Sequence, residues 1–456
     1  MTSPVRFLIA CVAFGGTLAV LPARPARALD VPFQKYALPN GLTVILHEDH
    51  ALPLVTVNVV YRVGSRYEQA GRTGFAHLFE HLMFMGIRRA PTKMFDAWME
   101  AQGGWNNAWT SEDQTDYYDV APANALPLLL WLEADRLSSL GNDMTLDKLD
   151  AQRDVVRNER RQTSENQPYG KVELRLPELL FPAGSPYHHP VIGSHEDLQA
   201  ATVDDVKSFF GRWYVPANAS MVVAGDFDPA TTRQLIEREF GWIASHASPQ
   251  PPPVTPVRLD HVVRETIEDN VQLPKVVMAW PSPDRYAPGD AELDLARVIL
   301  DEGKSSRLFK ALVYDHDLAQ EVKVAQNSRD RGSDFEVEAI ARPNVTLDQL
   351  ETAIDAELRK LAGEPVSQQE LMRAKNQFET HFVERLESLS ERAMALNLYQ
   401  ATRGDPGYAD RDLQRYRDVT AASLQAAVKS TVRPDARVVL RIVPKAQAAS
   451  GQGGAK

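Results

Sequence analysis

Two histidines and a glutamate carry the most specific chemistry in this chain. They stand in the stretch Gly74-Phe75-Ala76-His77-Leu78-Phe79-Glu80-His81-Leu82-Met83-Phe84-Met85-Gly86. The stretch is apolar, free of proline and closed by a glycine, which predicts a helix over 75–85. On a helix His77 and His81 leave the same face one turn apart. Two ring nitrogens at that separation can grip one zinc ion. Glu80 lies three residues from His77, so its carboxylate can approach the metal's open position without being a ligand. H-x-x-E-H is the inverted form of the H-E-x-x-H zinc motif. The competing reading is a pair of ordinary core histidines. It leaves two imidazoles and a carboxylate on a greasy helix, where unpaired burial costs several kcal/mol, a cost that a metal removes.

A catalytic zinc normally takes a third protein ligand, with water in the fourth position. The only cysteine is Cys11, so the rest of the chain can build neither a disulfide nor a thiolate site, and a metal must be held by His, Asp or Glu. Glu159, late in a helix predicted over 146–162, is the candidate. Its charged neighbours equally suit a solvated surface, and spacing alone does not choose it from 61 acidic residues.

These residues must be positioned by a mixture of strands and helices. Residues 42–47 and 54–62 alternate like strands and are expected to pair with each other. Helices are expected at 75–85, 124–140 and 146–162. In the second of these Asn124 serves as N-cap and Pro127 falls in the first turn. A strand follows at 220–225. After a proline-rich, uncharged linker at 247–256, the pattern resumes with a strand at 275–280 and a helix at 291–301. Helices at 347–361 and 367–401 and a closing strand at 436–443 complete it. The linker divides the chain into units at 29–246 and 257–445, each of the α+β class, which suggests a diverged duplication. The tail 446–456 is small and polar and is expected to be disordered.

With 44% hydrophobic and 24% charged residues, the chain can fill real cores, which excludes a wholly disordered or fibrous protein. Its net charge of -11 disfavours a nucleic-acid partner, because generic affinity for nucleic acid comes from phosphate neutralisation. At the start, Arg6, an apolar run over 7–21 and Ala26-Arg27-Ala28 describe an export signal cleaved after Ala28. The run is short of the roughly 20 residues that span a bilayer. No later stretch approaches that length, so the mature chain is expected to carry no membrane span. An exported chain with no cysteine left after cleavage suits a bacterial periplasm. His188 and His189, in a Tyr-His-His-Pro loop, are read as structural or surface residues.

Further passages follow the zinc motif in order. They are Leu38-Pro39-Asn40-Gly41-Leu42, Gly103-Gly104-Trp105-Asn106-Asn107-Ala108-Trp109-Thr110, Asn158-Glu159-Arg160-Arg161, Asn166-Gln167-Pro168-Tyr169-Gly170, Tyr214-Val215-Pro216-Ala217-Asn218-Ala219 and Gly303-Lys304-Ser305-Ser306-Arg307-Leu308. With them the chain resembles the pitrilysin family of zinc metallopeptidases, in particular the two-domain branch that includes mitochondrial processing peptidase and its bacterial relatives. The resemblance implies two similar α+β domains, each a mainly antiparallel sheet packed with helices, forming half of a clamshell. It implies Zn2+ held by His77, His81 and Glu159, with Glu80 as general base. It places Asn107 and Ala108 on an edge strand to which a substrate peptide adds; without it, Asn107 reads as a turn residue.

The chain also departs from the family. Many relatives carry a second Glu seven residues before the metal-binding one, where this chain has Gln152. The family's substrate-holding Arg and Tyr fall on Val313 and Gln320. The resemblance therefore implies a zinc-dependent endopeptidase for short or unfolded peptides, working in a chamber closed by a second subunit. With Val313 and Gln320 in those places, the expected partner is a homologue that lacks the zinc motif but supplies the Arg and Tyr, a homodimer being the alternative. The rival readings are a non-catalytic assembly subunit of the same fold and a periplasmic zinc-binding protein without peptidase activity.

Overall fold

A computed structural model of the chain describes residues 31–87 and 89–445. The export signal and the polar tail read from the sequence lie outside the described residues. The first half contains β1 (Gln34–Ala37), β2 (Thr43–Glu48), β3 (Leu54–Tyr61), α1 (Phe75–Leu82), α2 (Met94–Ala101), β4 (Trp105–Thr110), β5 (Thr115–Pro122), α3 (Leu126–Asp143), α4 (Leu146–Arg160), α5 (Lys171–Leu180), α6 (His195–Ala200), α7 (Val203–Trp213), β6 (Ala219–Gly225) and α8 (Pro229–Phe240). The second half contains β7 (Val263–Asp269), β8 (Lys275–Pro281), α9 (Asp290–Asp301), β9 (Ala319–Asn327), β10 (Asp334–Ala341), α10 (Leu347–Gly363), α11 (Gln368–Arg385), α12 (Leu389–Arg403), α13 (Ala409–Asp418), α14 (Ala421–Thr431) and β11 (Val438–Pro444). No helix among the described residues is long and apolar enough to cross a membrane.

The strands form two sheets, ordered β1-β2-β6-β3-β5-β4 and β7-β11-β8-β10-β9. Without β1 the two are the same sheet. In each, the first strand runs parallel to the last, and every other pairing is antiparallel. This common topology is the physical form of the duplication suspected from the sequence. One face of the first sheet packs on α1, α3 and α7 through Leu46, Val57, Leu78, Phe79 and Phe210.

The opposite face is covered by the other half of the chain. α12 of the second half lays Ala393 and Leu396 on Ile45, Val222 and Ala224. Reciprocally, α5 of the first half lays Val172, Leu176 and Leu180 on Val277, Ala279, Leu440 and Ile442 of the second sheet. The segment 247–256 has no helix or strand of its own.

Three local expectations are corrected. β2 does not pair with β3; β6 inserts between them, parallel to β2 and antiparallel to β3. The insertion gives an entirely buried strand two partners, so its backbone groups are satisfied. Gly225 ends β6 at φ 123°, where a Cβ would stand 2.1 Å from Leu54 O, so only glycine admits this approach. Asn124 does not cap α3; it sits in a preceding short turn over 123–125, and α3 begins at Leu126 with Pro127 in its first turn. The single helix expected over 367–401 is broken at 386–388. Arg392 donates to Leu386 O (3.1 Å) and Glu387 O (3.2 Å), capping the carbonyls freed at the corner. The corner is what allows α12 to turn onto the first sheet.

Candidate active site

α1 has the periodicity of a half-buried helix. Phe75, Ala76, Leu78, Phe79 and Leu82 are buried, while His77, Glu80 and His81 form its less buried stripe. Its N-terminus has no cap from its own N-cap residue, Gly74, at φ 85°. The fully buried Glu68 serves instead, accepting from Gly74 N (2.9 Å) and Ala76 N (2.7 Å). Its oxygens satisfy two of the orphan donors, although burial raises the carboxyl well above the usual range despite these backbone donors.

α4 packs beside α1 and brings Glu159 to the two rings. Its carboxylate lies 3.7 Å from His77 Nε2 and 3.2 Å from His81 Nε2. The ring centroids are 4.8 Å apart and nearly perpendicular, at 81°. One ligand atom from each of the three residues lies within 4.8 Å of the others. Exposure rises from 12% at His77 through 23% at His81 to 34% at Glu159, so the cluster opens on one side. Two imidazole nitrogens and one carboxylate oxygen are a donor set that fits zinc and leaves a fourth position free.

The protonation pattern follows from burial and these neighbours. Burial, and then the neighbouring His81, push His77 down to about 4, so this ring is neutral, the form that binds a metal. Burial also works against a charged His81, but Glu159 and Glu80 outweigh it and raise this ring above its ordinary value. The hydrogen bond from His81 holds Glu159 below the usual carboxylate range. A metal would displace the proton that His81 and Glu159 share. Burial raises Glu80 despite the Thr110 hydroxyl, which donates to Glu80 Oε2 at 2.6 Å.

Thr110 ends β4, the edge strand of the first sheet, which also carries Asn107 and Ala108. In the antiparallel register Asn107 faces Tyr118 and Ala108 faces Tyr117. Ala108 and Thr110 point to the α1 side and Asn107 to the other, as alternation requires. Gln152, two turns before Glu159 on α4, hydrogen-bonds His81 and donates to Met85 Sδ. An uncharged side chain thus contacts the His81 ring. Val313 and Gln320 lie in the second half, in the wide turn Phe309–Asp315 and on β9. His188 and His189 sit beside the backbone carbonyls of Phe181 and Pro190, His189 also 3.6 Å from Glu68, and among the described residues they belong to no three-ligand cluster.

Sequence reasoning missed Thr110 and Glu68. The alternation of β4 signals that Thr110 shares a face with Ala108. Nothing local signals that Glu68 closes the helix it precedes.

Comparison with known proteins identifies the family and the fold. Residues 43–184 match the model of insulinase, peptidase family M16, and residues 200–378 match that of the peptidase M16 inactive domain. The zinc protease PqqE of Helicobacter pylori is 31% identical over 362 residues, spanning 78% of this chain and 81% of that one. The mitochondrial-processing peptidase subunit beta of Blastocladiella emersonii is 28% identical over 278 residues, spanning 58% of this chain and 56% of its own. Among solved structures, a protease from Helicobacter pylori superposes with a TM-score of 0.84 at 28% identity, over 91% of this chain and 99% of that one. With its two repeated sheets and the His77, His81 and Glu159 cluster beside an edge strand, the chain belongs to peptidase family M16, the insulinase and pitrilysin family of zinc proteases.

Proposed function

We propose that this chain is a zinc-dependent endopeptidase that cleaves short or unfolded peptides, exported to the periplasm and working in a chamber formed with a second, homologous subunit. The observation that carries this reading is the convergence of His77, His81 and Glu159 beside Glu80, itself tied to an edge strand through Thr110. His77, His81 and Glu159 would hold the ion. Bound there, zinc supplies Lewis acidity and brings the pKa of a water towards neutrality.

The chain's own residues do the rest. A peptide adds along β4 as an extra strand, with Asn107 and Ala108 supplying backbone hydrogen bonds that do not depend on its sequence. Glu80 takes a proton from the water that attacks the scissile carbonyl and passes it to the departing amine nitrogen. Thr110 aims the Glu80 carboxylate, and Gln152 orients the His81 ring. Because Val313 and Gln320 stand where relatives carry Arg and Tyr, the partner is a homologue that lacks the zinc motif and supplies that pair.

Zinc analysis and a digest of unfolded peptides, on the chain alone and with its homologue, test the reading. One zinc per chain and cleavage that needs the homologue are expected. A chain reconstituted without chelator that takes up no zinc overturns the peptidase reading. Vigorous cleavage by the chain alone overturns the heterodimer.

A further inference from the structure

The turn that follows Thr110 is held from the other half of the chain. Residues 111–114 join β4 to β5, and residues 328–333 join β9 to β10, the corresponding strands of the second half. These two equivalent turns touch, so the halves meet one residue beyond the threonine that bonds Glu80.

The contact is made by paired and largely buried groups. Asp113, 5% exposed, accepts from Asp330 N (2.8 Å) and from the Tyr187 hydroxyl (2.7 Å), and lies 3.2 Å from Arg66 Nε. Arg66, 7% exposed, also lies 3.4 Å from Asp330 Oδ2. Glu112 accepts from Arg329 Nε at 2.7 Å, and Arg329 is bound in turn to Asp334 at the start of β10. Ser65 N and Arg66 N donate to Ser111 O (3.1 Å) and Glu112 O (3.0 Å). Gly332, at φ 69°, lets the Tyr187 ring lie against the second turn; a Cβ there would stand 2.8 Å from that ring. Charges paired away from water hold their geometry, because moving one partner leaves the other buried and unmatched.

We propose that the β9–β10 turn of the second half positions the general base. Arg329 and Asp330 fix the turn 111–114, that turn fixes Thr110, and the Thr110 hydroxyl fixes the Glu80 carboxylate. Glu112, Asp113, Arg329 and Asp330 are positioning residues, since they act through Thr110 rather than on the substrate. The proposal rests on Glu80 acting as general base, and it gives the second half a part in the chemistry.

The test uses the full chain, zinc-loaded and with its homologue, on an unfolded peptide. Glu112→Ala cuts the tie to Arg329 at a residue that is 22% exposed, so the fold can survive it. It should lower kcat by about ten-fold at normal zinc content. KM should change little, because Asn107 and Ala108 stay on the β5 ladder. Glu112→Gln, which still accepts from Arg329, should restore most of the loss. Gly332→Ala pushes the opposite turn off Tyr187 without removing a charge and should reproduce the loss. In a Thr110→Val background either alanine change should cost about two-fold or less, since the link is already cut. Losses that multiply with that of Thr110→Val, or that fall on KM, overturn the proposal.

A second readout needs no cleavage. The NMR signal of the Thr110 methyl group should shift in Glu112→Ala and Gly332→Ala and return in Glu112→Gln. If the wild type cleaves nothing but this pattern appears, the positioning of Thr110 stands and the peptidase reading falls. A Thr110 signal that ignores both alanine variants overturns the proposal whether or not peptides are cleaved.

Discussion

The two halves of this chain share a topology and differ in chemistry. In each, a helix after the second strand of the repeat packs against a later long helix: α1 against α4 in the first half, α9 against α11 in the second. In the first half the pair presents His77, Glu80, His81 and Glu159. In the second half His381 lies as far into α11 as Glu159 lies into α4, and it faces Glu302 just past α9, at 3.4 Å. That pair has one imidazole and one carboxylate and no third ligand; among the described residues the only group of three is the one on α1 and α4. Asp290 and Asp294 of α9 turn inward instead. Asp290 accepts from Arg415 and Ser328, and Asp294 accepts from Tyr416 at 2.8 Å. The repeat supplies a platform of two helices on a sheet, and whether it binds a metal depends on a few side chains at its edge.

The largest effect that tests this contrast belongs to Glu80→Gln. The variant keeps size and hydrogen bonding but cannot take up the proton, so turnover should fall by about 10²–10⁴-fold while zinc content stays normal. Undiminished turnover would remove Glu80 from that role. His77→Ala should lose zinc and activity together, since two remaining ligands hold the ion weakly; elemental analysis of dialysed protein checks it.

Asn397→Leu breaks a link between the halves rather than the site: buried Asn397 of α12 donates to Asn58 O (3.1 Å), Asn58 Oδ1 (2.7 Å) and Ser220 O (3.1 Å). It leaves Asn58 and Ser220 with unmet buried groups, so denaturant titration should show a loss on the order of 1–3 kcal/mol. Asp294 sharpens the contrast through pH. Burial and then the neighbouring Asp290 raise its carboxyl to about 7, far above an unfolded aspartate. The folded chain therefore keeps a proton that the unfolded chain gives up, and this contribution to stability is present in full at low pH and lost as pH rises from about 4 to about 7. Asp294→Asn should flatten that part of the profile by on the order of 4 kcal/mol. The smallest effect is expected for His381→Ala. The ring is 59% exposed, so zinc content should not change and stability should move by no more than about 0.5 kcal/mol. A drop in zinc content there would show that the second half also binds metal.

Much of the first half's site is legible because it is local. Helical geometry alone puts His77, Glu80 and His81 on one stripe, and the chain forms that helix with its apolar residues inward. The long helix over 367–401 misled for a related reason. No glycine or proline marks 386–388, and the break comes from the need of Ala393 and Leu396 to reach the first sheet. The pairing of the first strands failed likewise, because β6 arrives from over a hundred and fifty residues away to separate them.

By itself the sequence determined the donor types, their helical phase, the absence of thiolate chemistry from nearly the whole chain and the twofold α+β pattern, since each depends on composition or on spacing within a few turns. Only the tertiary structure brought Glu159 to the two rings, set Thr110 against Glu80, and passed α5 and α12 across to each other's sheets. Those outcomes depend on which distant surfaces bury one another, and that is a property of packing which no local periodicity records.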